Sequence, residues 1–132
     1  MSLEKTEGDK LYANGEYEKA ISCYSKLIAI YEKDSLSDNK IDEAELALLY
    51  NNRGHAKYMM VDFYPARDDY DKAITLNPKL DVAYYNRATI NYRMGDFTLA
   101  MQDFSICTKL NPENKEYKEG LESCHRCSQE NM

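Results

Sequence analysis

Four cysteines (Cys23, Cys107, Cys124 and Cys127) and two histidines (His55 and His125) are the side chains of this 132-residue chain best suited to nucleophilic, redox or metal chemistry. Two of the cysteines form Cys124-His125-Arg126-Cys127, a CxxC spacing that can hold zinc or cycle between dithiol and disulfide. Zinc needs four ligands, and no second CxxC or HxxxH completes the set. Redox activity needs a thiol whose pKa is lowered at a helix N-terminus. This pair falls late in a predicted helix, where the dipole acts the other way. One buried thiol and one exposed thiol, with no metal, is therefore the expectation. His55 reads as a bystander rather than a ligand or pH switch. Asp68-Asp69-Asp71 reads as a solvated helix face. Phosphate loop, nucleophile elbow and HExxH helix are all missing. No catalytic residue, cofactor or small-molecule substrate is expected, and the chain reads as a non-enzyme.

Charge narrows the partners further. Seventeen basic against twenty-three acidic residues give a net charge of -6. That balance disfavours nucleic acid and anionic membrane surfaces, both of which are bound through clustered Lys and Arg. The first residues, Met1-Ser2-Leu3-Glu4-Lys5, lack the basic-then-apolar layout of a signal peptide, and no apolar run is long enough to span a bilayer. A cytoplasmic protein with reduced thiols is expected, its partners basic or mixed in charge.

The elements that would position any site repeat along the chain. Tyr50-Asn51-Asn52-Arg53-Gly54 through Leu76-Asn77-Pro78 aligns with Tyr84-Tyr85-Asn86-Arg87-Ala88 through Leu110-Asn111-Pro112, Pro78 and Pro112 lying 34 residues apart. Asn52 and Asn86, Asp62 and Asp96, Phe63 and Phe97, and Ala66 and Ala100 keep the same spacing. An earlier copy runs Gly8, Gly15-Glu16-Tyr17, Ala20-Ile21, Tyr24, Ile28, with Ala20 preceding Ala66 by 46. Each copy reads as helix, turn, helix. A small residue (Gly8, Gly54, Ala88) lets a neighbouring helix approach, and Gly15 and Gly95 mark turns that need positive φ. Val61 replaces that glycine in the second copy, which predicts a turn built differently. Asp62 and Asp96 are expected to cap the second helices, and Pro65 falls in a first turn where a missing N–H costs little.

Apolar and small residues recur at helical spacing in the second helices: Ala20, Tyr24, Leu27, Ile28; Ala66, Tyr70, Ala73, Ile74; Ala100, Phe104, Cys107. They predict a buried face. The prolines after Asn77 and Asn111 stop those helices. The polar stretch Asp34-Ser35-Leu36-Ser37-Asp38-Asn39-Lys40 predicts a loop within a link of about Ser35 to Leu46, followed by a long first helix in copy two. Beyond Pro112, the spacing of Tyr117, Leu121 and Cys124 predicts a half-polar helix that covers the last apolar face.

A 34-residue unit with small-8, Gly-15, aromatic-17, Ala-20, aromatic-24 and Pro-32 resembles the tetratricopeptide repeat (TPR) over residues 1–114. The resemblance implies an all-α superhelix of three repeats (1–34, 47–80 and 81–114) with a linker at 35–46 and a capping helix at 115–132. It implies a concave face, lined by the first helices, that holds a peptide or helix of a protein partner. Carried over by repeat position, that face comprises Lys5, Asp9, Tyr12, Asn51, Asn52, His55, Tyr58, Tyr85, Asn86, Thr89, Tyr92 and Arg93, with Ala13, Leu48, Met59 and Val82 beside them.

Asn52 and Asn86 are the sharpest candidates on that face, because a side-chain amide both donates to and accepts from an extended backbone. Their alternative role is to tie adjacent helices together. Tyr58 and Tyr92 stand between groove and core, since Lys57 and Asn91 hold the usual buried aromatic position. Arg53 and Arg87 are expected to pair with acids of a neighbouring helix. One TPR subclass grips acidic C-terminal tails of heat-shock chaperones in a two-carboxylate clamp. Lys5 and Asn52 match it. Asp9 stands for an Asn, Val82 for a Lys and Asn86 for an Arg, leaving Arg93 to compensate and making tail binding the lesser option.

Overall fold

The computed structural model describes residues 3–34 and 42–130, and the described residues form seven α-helices. They fall into two compact units, Met1–Asn77 and Pro78–Met132. The first holds α1 (Leu3–Ala13), α2 (Tyr17–Asp34), α3 (Glu43–Met59) and α4 (Phe63–Leu76). The second holds α5 (Asp81–Arg93), α6 (Phe97–Leu110) and α7 (Lys115–Glu130). Most of the expected linker, 35–41, lies outside the described residues. At 17 residues α3 is the longest of the first helices, as its pattern from Asp42 predicts, and Asp42 caps it by accepting from the Glu45 N–H at 3.2 Å.

Within each unit the second helices bury the predicted stripe. Ala20, Tyr24, Leu27 and Ile28, then Ala66, Tyr70 and Ala73, then Ala100, Phe104 and Cys107 are all buried, while Ile74 is only half-covered. Close approach is set by the small residues opposite. A Cβ on Gly8 would stand 2.7 Å from the Tyr24 ring, and one on Gly54 would stand 2.9 Å from Tyr70 and 3.1 Å from the Ala66 carbonyl. Gly120 in α7 plays the same part against Phe104, at 2.5 Å. Tyr117 and Cys124 of α7 are buried with it.

The turn between paired helices corrects the expectation for Val61. Gly15 and Gly95 take φ of 79° and 82°, and Val61 takes 61°. The hydrogen bonds are the same in all three: Gly15 N–H to Tyr12 and Glu16 N–H to Leu11; Val61 to Tyr58 and Asp62 to Lys57; Gly95 to Tyr92 and Asp96 to Asn91. Copy two therefore builds the same left-handed closure with a β-branched residue, a conformation its branched Cβ disfavours. Asp96 caps α6 by accepting from Leu99 N–H at 3.4 Å. Asp62 makes no side-chain cap bond, contrary to expectation. α4 and α6 end at Leu76 and Leu110, each immediately before the Asn-Pro pair.

Candidate functional site

Helix α3 divides its polar side chains between two directions. Arg53 and Lys57, one turn apart, both reach Asp69 of α4. Arg53 grips it with two prongs, Nη2 to Oδ1 at 2.7 Å and Nε to Oδ2 at 2.9 Å, and Lys57 Nζ lies 3.0 Å from Oδ2. Arg53 also donates to Ser25 Oγ at 3.2 Å and lies over the Tyr50 ring, 5.3 Å from its centroid. Asp69 is 4% exposed, so this part of Asp68-Asp69-Asp71 is not the solvated face expected. Its place on the Ala66, Tyr70, Ala73 stripe explains the burial, and two cations compensate the charge. The second unit repeats the device: Arg87 Nε to Asp103 Oδ2 at 2.8 Å and Nη2 to Oδ1 at 2.9 Å. Arg53 and Arg87 are structural pairs, as expected.

On α3, His55 joins a row of rings. Tyr12 of α1 packs on His55 at 5.3 Å between centroids, His55 on Tyr58 at 6.0 Å, and Tyr58 on Phe63 at 5.5 Å. Tyr17 extends the row from Tyr12 at 5.4 Å. All five are half-buried. Burial holds the His55 pKa below the ordinary histidine value, which keeps the imidazole neutral at pH 7. Tyr17 and Phe63 were not among the expected site residues. Their shared repeat position, also occupied by Phe97, was the available signal.

The other expected residues of the first unit are engaged in different ways. Asp9 accepts a hydrogen bond from the Tyr24 hydroxyl, whose pKa is raised first by burial and then by that carboxylate. Lys5 is buried, its Nζ 3.6 Å from Glu45 Oε1. Asn51 is buried and its amide reaches Asn52 Oδ1 at 3.5 Å, while Asn52 itself is half-buried. A shallow cleft lined by Gly15, Glu16, Tyr17, Glu18, Lys19 and Met60 lies at the turn end of this unit; it includes none of the expected site residues and meets the ring row only at Tyr17.

In the second unit Tyr85 packs edge-on to Phe104 at 5.8 Å and against Tyr117 at 5.0 Å, and Asn86 is buried. Thr89 bonds back to the Tyr85 carbonyl at 2.9 Å, and Arg93 is exposed. Tyr92 packs on Phe97 at 5.4 Å and sets its hydroxyl 2.9 Å from Cys127 Sγ. Tyr58 and Tyr92 are thus both half-buried, between the two alternatives the sequence leaves open. The Tyr117 hydroxyl donates to Asp81 at 2.8 Å. Cys124 is buried and donates to the Phe97 carbonyl at 3.2 Å; Cys127 is half-buried. Burial, with Cys127 nearby, raises the Cys124 pKa, the reverse of an activated thiol. Among the described residues no group of three or more His, Cys, Asp or Glu is placed to hold a metal, and no helix is long and apolar enough to cross a membrane.

Residues 82–114 match the family model described as the tetratricopeptide repeat. Among curated proteins, the mitochondrial import receptor subunit TOM70 of Rattus norvegicus is 32% identical over 75 residues, 57% of this chain. That stretch spans only 11% of the receptor's length. Among solved structures, the second TPR domain of human RPAP3 in complex with the HSP70 peptide SGPTIEEVD is similar with a TM-score of 0.76 and 31% identity, covering 92% of each chain. The first TPR of Spaghetti (RPAP3) bound to the HSP90 peptide SRMEEVD shares the fold with a TM-score of 0.82 and 24% identity, over 96% of this chain and 91% of that one. With paired helices throughout, a family-model match at residues 82–114 and 31% identity over 92% of each chain to a solved TPR domain, the chain belongs to the tetratricopeptide repeat family.

Proposed function

We propose that this protein is a non-catalytic, cytoplasmic adaptor that holds a segment of another protein against its first helices. In the first unit the receiving surface is Asp9 and Tyr12 of α1 with Asn52, His55 and Tyr58 of α3, supported at its ends by Lys5 and Asn51. In the second unit it is Tyr85, Asn86, Thr89, Tyr92 and Arg93 of α5. The observation that carries this reading is the row of half-buried rings from Tyr12 through His55 to Tyr58. Rings of that kind give broad contact with few rotors to freeze, as recognition surfaces require.

Partner capture from lysate tests it, comparing the wild type with an Asn52→Ala/Arg93→Ala variant whose helical circular dichroism is intact. Loss of a partner from the variant alone supports the reading. Retention of every partner by both forms overturns it.

The second reading is a co-chaperone that binds acidic chaperone tails, favoured by the 31% identity to a domain solved with an HSP70 peptide. Against it, Lys5 already lies 3.6 Å from Glu45 and Asp9 brings a carboxylate to the same helix. Calorimetric titration with a peptide ending in EEVD decides between them. Saturable micromolar binding revives the tail reading, and no heat at millimolar peptide removes it.

A further inference from the structure

We infer that the first unit's surface is selective for a partner segment carrying a cationic side chain, arginine above all, which it takes against Asp9 and the Tyr12–His55–Tyr58 rings. The inference rests on the adaptor reading and adds the chemistry of the partner. Its basis is the disposition of charge around the rings. Lys5, the cation at the start of α1, is set against Glu45. Arg53 and Lys57, the cations of α3, are both turned to buried Asp69, with Glu32 also in electrostatic reach of Arg53. His55 is neutral at pH 7 because burial depresses its pKa. Lys10 is exposed, but it lies about 100° round the helix from Asp9. Lys5, Arg53 and Lys57 are therefore matched by acids of their own unit, and on the Tyr12 face of α1 Asp9 sets the sign of what remains.

Asp9 and Tyr12 are three residues apart on α1 and so share a face. The Tyr24 hydroxyl, which donates to Asp9, is also in electrostatic reach of Tyr12, and the Tyr70 hydroxyl is in reach of both Tyr12 and Tyr58. One carboxylate and three neighbouring, mutually tilted rings thus gather on this unit. A guanidinium suits such a surface twice over: its plane stacks on rings, and its N–H groups bond a carboxylate. A glutamate-rich tail meets the Asp9 charge and finds Lys5 occupied. The surface is complementary to basic partners, in keeping with the acidic balance of the chain.

The experiment uses the full chain and two capped peptides, acetyl-LRLRL-amide and acetyl-LELEL-amide, with ¹³C-labelled aromatic side chains followed by NMR. The arginine peptide is expected to shift the Tyr12, His55 and Tyr58 signals and to bind at least about threefold more tightly than the glutamate peptide, the scale of one exposed cation–π contact with a carboxylate nearby. Asp9→Asn, which keeps an acceptor for Tyr24, should weaken the arginine peptide about threefold and strengthen the glutamate peptide. Tyr12→Leu should weaken the arginine peptide by a similar factor.

If the glutamate peptide binds these rings as tightly or more tightly, the cation preference is overturned while the adaptor surface stands. If neither peptide shifts the three rings at millimolar concentration, the preference is again overturned. The partner-capture result then decides separately whether the adaptor reading survives.

Discussion

Replacing Val61 with glycine should make the protein more stable although it removes a side chain. Val61 holds φ of 61°, where its branched Cβ meets the backbone, at a position that Gly15 and Gly95 fill in the sister turns. A non-glycine residue held in that region costs about 1–3 kcal/mol, and a β-branched one belongs near the middle of that range or above, about 2 kcal/mol. Two effects offset the gain. Glycine increases the freedom of the unfolded chain, worth about 0.7 kcal/mol. Val61 is 70% exposed, so the apolar cover it loses is worth about 0.5 kcal/mol. The difference is a stabilisation of about 1 kcal/mol, or a rise of about 3–5 °C in Tm for a chain of this length. Urea denaturation followed by helical circular dichroism reads it directly as a higher midpoint at unchanged slope. Gly95→Val should move the midpoint down by a similar amount. A Val61→Gly midpoint equal to or below the wild type would refute the claim that this turn is strained.

Gly54→Ala should destabilise by about 1–3 kcal/mol, because the new methyl meets the Tyr70 ring at 2.9 Å and the Ala66 carbonyl at 3.1 Å; thermal melts check it, and a neutral result would mean that the helices slide apart freely. Asp69→Asn removes the shared partner of Arg53 and Lys57 and should cost about 2–4 kcal/mol in chemical denaturation, more than Asp68→Asn, which sits exposed. The depressed pKa of His55 has a pH consequence. The unfolded chain takes up the His55 proton near pH 6.5, and the folded chain takes it up only at lower pH. Stability is therefore unaffected by this group above about pH 6.5 and falls as pH drops from there through the folded pKa. His55→Gln should flatten that part of the stability profile, as denaturation midpoints between pH 7.5 and 5 would register.

The repeat grammar was legible because spacing alone carries it. A buried stripe at helical period, Asn-Pro stops 34 residues apart and a small residue opposite an aromatic each dictate one local geometry. Asp69 was misread because three aspartates in four positions look like solvated surface. Its place between Ala66 and Ala73, shared by Asp103 between Ala100 and Cys107, marked it as inward-facing, and the arginine sixteen residues upstream in both copies was its partner. Val61 was misread for the opposite reason. Residue preference argues against a left-handed valine, but the hydrogen-bonded closure of the turn overrides that preference. Gly120 went unnoticed because α7 lies outside the repeat register, although it meets Phe104 much as Gly54 meets Tyr70. The ring row could not be read at all from spacing. Tyr12 and His55 lie far apart in the chain, and only the packing of α2 against both α1 and α3 brings them to 5.3 Å.

The Arg53–Asp69 and Arg87–Asp103 pairs each close within one helical hairpin, sixteen residues from donor to acceptor. A polar contact of such short sequence separation forms early, because the loop that must be closed is small. Each of these two hairpins therefore contains its own short-range polar lock. Refolding can start in either place, with no requirement that distant segments meet first. Such a chain is suited to acquiring structure progressively as it leaves the ribosome. The α3–α4 hairpin can lock its buried charge before α5 has been synthesised.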